Sequence, residues 1–386
     1  MNPSTLNLST PNLSNLNLSN LKPSNFTESL IMTTHSSARA STVLVLGANG
    51  RFGQAACEAF AQAGWRVLAH TRRELHWRSA NTSARIQEIG GELMRNTTDF
   101  ESVSVVVNAL NPIYTRWKRE ALPLARTAMD LAQSLDATLM FPGNVYNFGK
   151  AMPELLTEDT PQRAQTRKGK IRIQIESDLR ERAAQGLQTI IVRAGDFFGA
   201  GSGSWFDLVI AKDLNKALLT YPGNQELIHA WAYLPDLVKT FVALAERRQQ
   251  LSTFEVFHFQ GYTVTGKEML AQIEAAARSQ GIIKARQKLT IRTLPWTLMQ
   301  VAALASPMLR ELVEMKYLWD VPHRLVDTRL CEVLGESVLN ATQTTLAMAI
   351  ERTLLLNEGQ TPASAQPERS RNVASEHPSI RVSAYR

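Results

Sequence analysis

The sequence has little cysteine, no long apolar run and no concentrated block of one charge, and each shortage removes a class of protein. Two cysteines in 386 residues, Cys57 and Cys331, lie too far apart to suggest a disulfide framework or a metal knuckle. Each falls in a helical apolar pattern, where a small buried hydrophobe is the expected role, and a reducing cytoplasm is the expected compartment. No segment reaches the ~20 apolar residues of a membrane span. The nearest, LPWTLMQVAALASPML from Leu294 to Leu309, carries Gln300 and Pro307 and reads as a buried helix. No secretory leader pattern is seen, so the Asn-Leu-Ser triplets at Asn7, Asn12 and Asn17 are not expected to carry glycans. The net charge is +7, but it is spread along the chain with no basic run interleaved with aromatics. Neither nucleic acid nor a membrane is therefore expected as a partner.

What is present is a globular composition, 44% hydrophobic and 20% charged, long enough for two ordinary domains. Residues 1–40 are low in complexity, and the tail 356–386 is rich in Ser, Pro and Ala; neither can bury enough apolar surface to offset its ordering entropy. Between them short apolar runs alternate with helix-length stretches: TVLVLG from Thr42, RVLAH from Arg66, VSVVVNAL from Val103, ATLMF from Ala137 and TIIVR from Thr189. Continuous apolar strands separated by amphipathic helices predict a doubly wound α/β domain, Rossmann-like, with a parallel sheet covered on both faces. That domain is expected over 41–260, with a substrate-loop insertion at about 196–235. A smaller, mainly helical lobe is expected over 261–355.

The strongest local signal is VLVLGANGRFGQAACEAF, where Gly47, Gly50 and Gly53 follow a strand and open a helix. The first glycine permits a tight turn, the second a close approach to a pyrophosphate, and the third close packing of helix on strand. Asn49, Arg51 and Phe52 fill the same loop and belong to the same expected cofactor site. NAD-binding sites place an acidic residue after the second strand; here Arg72 and Arg73 stand there, as suits a 2′-phosphate, with Arg51 as a third cation. NADP(H) is the expected cofactor, with NAD as the alternative because Glu74 follows directly.

A second stretch, TRKGKIRIQIE from Thr166 to Glu176, packs Arg167, Lys168, Lys170 and Arg172 into six positions. As the start of a helix it would be electrostatically unfavourable, so a local anion is expected beside it.

These motifs, in this order, resemble the extended or atypical short-chain dehydrogenase/reductase superfamily, the NAD-dependent epimerase/dehydratase group. VVVNALNP (Val105 to Pro112) is similar to the strand that passes the nicotinamide ribose, which places Asn108 and Asn111 near the cofactor. FPGNVYNFG (Phe141 to Gly149) resembles the segment that in the family reads Ser-Ser-x-x-Val-Tyr-Gly. VRAGDFFGAG (Val192 to Gly201) resembles the substrate loop, and AWAYLPDLV the later Val-Asp-Asp stretch. The family's catalytic Tyr-x-x-x-Lys pair falls on Lys168 and Arg172, and Pro142, Gly143 and Asn144 replace the hydroxyl residue. The ordinary triad is therefore absent. Lys168 and Arg172 share one helix face, and Lys168, its pKa lowered by neighbouring cations, is one candidate proton donor. Tyr146 is another, with Asn144 beside it; Asp196 and Trp205 are the expected substrate contacts, though Trp205 could equally be a core anchor. His229 reads as a packed loop residue, and no metal site is expected.

The resemblance implies hydride transfer on a small carbonyl, hydroxyl or sugar-like substrate. The rival reading is a non-catalytic NADP(H) sensor or partner-binding regulator that kept the fold. A homodimer through the helices at about 114–135 and 168–184 is a further implication of the resemblance.

Overall fold

Seven strands, mainly buried except at the β3 edge, run parallel: β1 (Thr42–Leu46), β2 (Arg66–Thr71), β3 (Ile86–Gly90), β4 (Val103–Asn108), β5 (Thr138–Asn144), β7 (Thr189–Ala194) and β11 (Phe254–Phe259). Their spatial order is β11-β7-β5-β4-β1-β2-β3. The computed structural model describes residues 41–75, 77, 83–91, 100 and 102–358. Both sheet faces are covered, so the strand residues alternate between two apolar cores rather than between core and water. Val43 and Val45 pack with α1 (Arg51–Gln62) and α4 (Leu234–Arg247). Leu44 and Leu46 pack with α2 (Trp117–Ser134) and α3 (Arg167–Ala184) on the other side.

Sequence order reverses between β1 and β4, which opens a crevice beyond the carboxyl ends of those strands. Above that edge lies a smaller lobe, α-helical with short strands. One three-stranded sheet joins β8 (Asp196–Phe198), β10 (Ile228–Tyr233) and β12 (Tyr262–Thr265). Two strand pairs add β9 (Leu218–Tyr221) with β13 (Thr290–Thr293), and β6 (Leu155–Leu156) with β14 (Arg324–Leu325). The lobe's helices are α5 (Gly266–Ser279), α6 (Trp296–Ala302), α7 (Pro307–Val313), α8 (Thr328–Leu334), α9 (Glu336–Thr342) and α10 (Leu346–Glu358). Its core gathers Phe206, Tyr221, Trp231, Ile273 and Ile350.

Several local expectations are corrected. The strand after α2 does not stop at Phe141 but continues through Pro142 and Gly143 to Asn144, each paired with β7. The strand β3, IQEIG, carries no continuous apolar run because it is an edge with only half-buried and exposed residues. The stretch Leu294 to Leu309 is not a buried helix: it breaks into α6 and α7, with Leu298, Val301, Leu304 and Met308 exposed. Cys57 is buried as expected, whereas Cys331 is only half-buried, its thiol donating to Asp327 at 3.5 Å. The low-complexity start and most of the tail lie outside the described residues.

Candidate active site

The glycine turn sits at the β1/β4 crevice. Gly47 has φ +84°, and a Cβ there would meet the Ala109 carbonyl at 2.8 Å, so β1 and the β4 exit are as close as two backbones can be. At Gly53 a Cβ would come within 2.2 Å of the Gly47 carbonyl, so only glycine lets α1 start directly over the turn. Gly50 is the N-cap of α1 and offers no side-chain cap, leaving the helix's positive end open. Phe52 faces inward and packs edge-on against Phe241. Asn49 braces the turn by donating to the Thr71 hydroxyl at 2.7 Å and the Glu74 carbonyl at 3.0 Å.

Arg51 is the first residue of α1. Its guanidinium crosses to donate to the Gly199 carbonyl at 2.8 Å, linking the glycine turn to the loop after β8. Its Nε is buried without a partner, and burial holds its pKa below the usual arginine value, with Asp207 pulling the other way. A half-buried, under-satisfied cation beside an uncapped helix start and a cradle only glycine allows is a donor set that fits a pyrophosphate. Arg72 and Arg73 are exposed just past the end of β2. Asn108 is buried and accepts from the Leu110 backbone N–H at 3.1 Å, while Asn111 is exposed.

One strand over, at the end of β5, Asn144 accepts the Tyr146 backbone N–H at 3.1 Å. This turn presents the Tyr146 phenol, which lies 3.0 Å from the Tyr114 hydroxyl. Burial pushes the Tyr146 pKa well above its usual value, and Tyr114 and Asp196 push it further. Burial raises Tyr114 too, against an opposing hydrogen bond from Tyr146 and the Arg172 charge. Both phenols are thus held protonated. Tyr114 was not visible as a site residue in the sequence; it lies outside every quoted motif core and reaches the site only because β4 and β5 are neighbours.

The basic stretch is the first turn of α3, capped by Thr166, whose hydroxyl accepts the Gly169 N–H at 3.1 Å. Lys168 has no exposed surface, and its surroundings differ from the expectation of neighbouring cations. Its ammonium donates to the Glu311 carboxylate, to the Glu311 carbonyl at 3.1 Å and to Glu314 Oε2 at 2.7 Å. All three N–H groups are engaged by α7 and the residue after it, with the Tyr114 ring 5.0 Å away. Arg172 sits between the Trp117 and Phe141 rings, each at 5.1 Å, and donates to the Pro142 carbonyl at 3.2 Å. Its Nε is buried without a partner, and burial lowers its pKa against the opposing pull of Tyr146 and Glu176.

Behind this turn Glu176 and Arg193 form a buried ion pair at 2.6 Å, extended by Asn147 at 3.0 Å and Gln162 at 2.8 Å. On the lobe side Asp196 pairs with His229 Nε2 at 2.8 Å. His229 is therefore a strand residue of β10 with an acidic partner, not a loop residue. Its ring stacks on Trp319 at 4.4 Å, and Trp319 meets Trp205 at 5.3 Å. Trp205 is half-buried in that aromatic row, while Phe206 is fully buried in the lobe core. Among the described residues no group of three or more His, Cys, Asp or Glu could hold a metal ion. Among them, too, no helix is long and apolar enough to cross a membrane.

A parallel sheet reversing at β1/β4, with a glycine-turn helix start at the reversal and a substrate lobe above it, defines a nucleotide-dependent short-chain dehydrogenase/reductase-type protein. The model of the NAD dependent epimerase/dehydratase family matches residues 43–258, and the chain belongs to that family. Similar solved structures share the fold at low identity. TunA, an NAD dependent NDP-hexosamine 5,6-dehydratase of tunicamycin biosynthesis, superposes with TM-score 0.63 and 15% identity over 83% of this chain and 99% of its own. MoeE5, in complex with UDP-glucose and NAD, gives 0.61 and 18% over 82% and 98%. The Bordetella bronchiseptica enzyme WbmH, in complex with NAD+, gives 0.61 and 14% over 82% and 98%. No curated protein matches the sequence.

Proposed function

We propose that the chain is an NADP(H)-dependent oxidoreductase or epimerase-like enzyme acting on a small carbonyl, hydroxyl or sugar-like substrate, with a tyrosine pair as its proton donor. The observation that carries this reading is the Tyr146–Tyr114 contact of 3.0 Å at the end of β5. That turn lies two strand spacings, about 10 Å, from the glycine turn, the reach of a nicotinamide whose pyrophosphate rests on α1. The cofactor, when bound, supplies or accepts a hydride. The chain's own part is to hold a proton at the Tyr146 hydroxyl and deliver it to a developing alkoxide, with Tyr114 relaying the replacement. Arg172, at the position of the family's lysine, keeps a cation beside both phenols and suits a ribose or phenolate oxygen at its unpartnered Nε. Lys168 acts as a positioning residue: it holds Tyr114 from behind while Glu311 and Glu314 neutralise it. Because both phenols are held protonated, the resting state at neutral pH is ready for the acid role. Asp196 and His229 supply polar contacts to substrate, and the Trp319–Trp205 row supplies an apolar wall.

Arg72 and Arg73 support a 2′-phosphate, and a fluorescence titration tests them. NADPH should bind saturably, and Arg72→Ala with Arg73→Ala should weaken it roughly 10- to 100-fold, a loss of one or two charge-assisted hydrogen bonds, while NADH is unchanged. If neither nucleotide binds, the reading fails. The second reading, a sensor without chemistry, is favoured by the missing triad and the full engagement of Lys168; NADPH binding with no turnover across a carbonyl panel would support it.

A further inference from the structure

From Gly281 to Arg310 the chain holds five cations, Lys284, Arg286, Lys288, Arg292 and Arg310, and no acidic residue. All five are exposed, and among the described residues none forms an ion pair within 4.0 Å. The strap that carries the first three is fixed rather than loose. Arg278 donates to the carbonyls of Lys284 at 2.8 Å, Ala285 at 3.0 Å and Gln287 at 3.0 Å, and Ile283 is buried. β13 then leads into α6, whose Trp296 anchors the inner face by donating to the Pro222 carbonyl.

The outer face of the α6–α7 hairpin is apolar and bare. Leu298 is 66% exposed, Val301 67%, Leu304 82% and Met308 42%, an apolar stripe that follows the chain from α6 through the turn into α7. Ile291, on β13 just before the hairpin, is 45% exposed as well. Arg310 donates to the Ala303 and Leu304 carbonyls at 3.4 Å, so a cation borders the tip of the stripe. Scattered apolar residues need no explanation, but an exposed apolar run with only cations before and after it along the chain does.

We propose that this hairpin and its basic strap form a docking surface for an anionic lipid bilayer, the stripe entering the acyl boundary and the cations meeting the headgroups. A bilayer supplies both an apolar interior and anionic charge in one surface. A second copy of the chain would bring five cations against five in a two-fold contact, which the charge opposes. Nucleic acid would leave the leucines in water and finds no exposed aromatic to stack on here. Lack of a spanning helix excludes only spanning. The inference is independent of the nucleotide reading.

Vesicle sedimentation with the full chain tests it, using phosphatidylcholine with and without equal parts of phosphatidylglycerol. The chain should pellet with the mixed vesicles, weakly with the neutral ones, and less as salt rises. Leu298→Asp with Leu304→Asp should abolish pelleting, and Lys288→Gln with Arg292→Gln should weaken it about fivefold per charge removed. Should the double Asp variant fail to fold, Leu304→Asn alone, at the most exposed position, should still weaken pelleting several-fold. No pelleting with phosphatidylglycerol vesicles, or pelleting that the stripe variants leave intact, overturns the proposal. So does a dimer in velocity sedimentation that Leu298→Asp with Leu304→Asp converts to monomer, because the occupant is then a second copy.

Discussion

At Tyr146, burial and a neighbouring phenol act in the same direction, and both keep the proton on oxygen. A phenol so held is a reservoir for an acid step and a poor resting base. Tyr146→Phe should therefore cut reductive turnover by about 10²-fold or more, the usual share of a positioned general acid, while leaving the NADPH dissociation constant unchanged. Steady-state kinetics beside a binding titration check this; equal activity in the variant would move the donor elsewhere. The sequence placed Tyr146 just past the β5 strand because the motif around it survives. It could not place Tyr114, since a contact between residues 32 apart exists only once β4 and β5 are side by side.

The helix α3 begins with Arg167 and Lys168 against its own positive dipole end, and the anion that compensates them belongs to the protein. α7 and its following residue bring Glu311 and Glu314 onto that turn, where Arg167 also donates to Glu311 and, through its backbone, to Glu314 at 2.5 Å. Burial pushes the Glu314 pKa up, but the Lys168 hydrogen bond and charge outweigh it and leave it below its usual value. Glu311→Gln with Glu314→Gln should destabilise the chain by roughly 3–5 kcal/mol, because Lys168 then stays buried without a counter-charge. Adding Lys168→Met should restore most of that loss, and denaturant melts of the three chains would show it. An anion beside the basic turn was legible from helix electrostatics; its identity was not. Glu311 and Glu314 lie about 140 positions away in sequence, 143 for the Lys168–Glu311 pair, and no local pattern links them.

Over the whole molecule, buried histidines set a pH response: burial lowers the His70 pKa against its bond to the Gly91 carbonyl, and two others are lowered to a value near 3. Burial drives His258 from 6.5 down to about 3, helped by the Arg193 charge and opposed by its bond to the Leu156 carbonyl. Burial likewise takes His323 to about 3, with His229 adding to the shift. Both folded values lie below the unfolded value, so the unfolded chain takes up the protons first. Their contribution is complete above pH 6.5 and is lost as pH falls from there toward 3. The slope should approach about 1.4 kcal/mol per pH unit for each histidine. Denaturant titrations between about pH 7 and pH 5, where most carboxylates remain ionised, read this effect, and His258→Gln should lower the slope by up to about 1.4 kcal/mol per pH unit. An unchanged slope would show that His258 is not held neutral.

The sequence by itself determined the alternation of strand and helix, the glycine turn and the family. Those features depend on residues within one or two turns of each other, and backbone sterics and apolar periodicity act at that range. Only the tertiary structure decided what the charged and aromatic residues do. It tied Arg51 to the Gly199 carbonyl, closed Lys168 under two glutamates, paired His229 with Asp196 and left the α6–α7 stripe bare. A side chain's partner depends on which distant segments the sheet order and the lobe bring beside it. Apolar composition alone cannot say whether a helix face meets the core or the solvent.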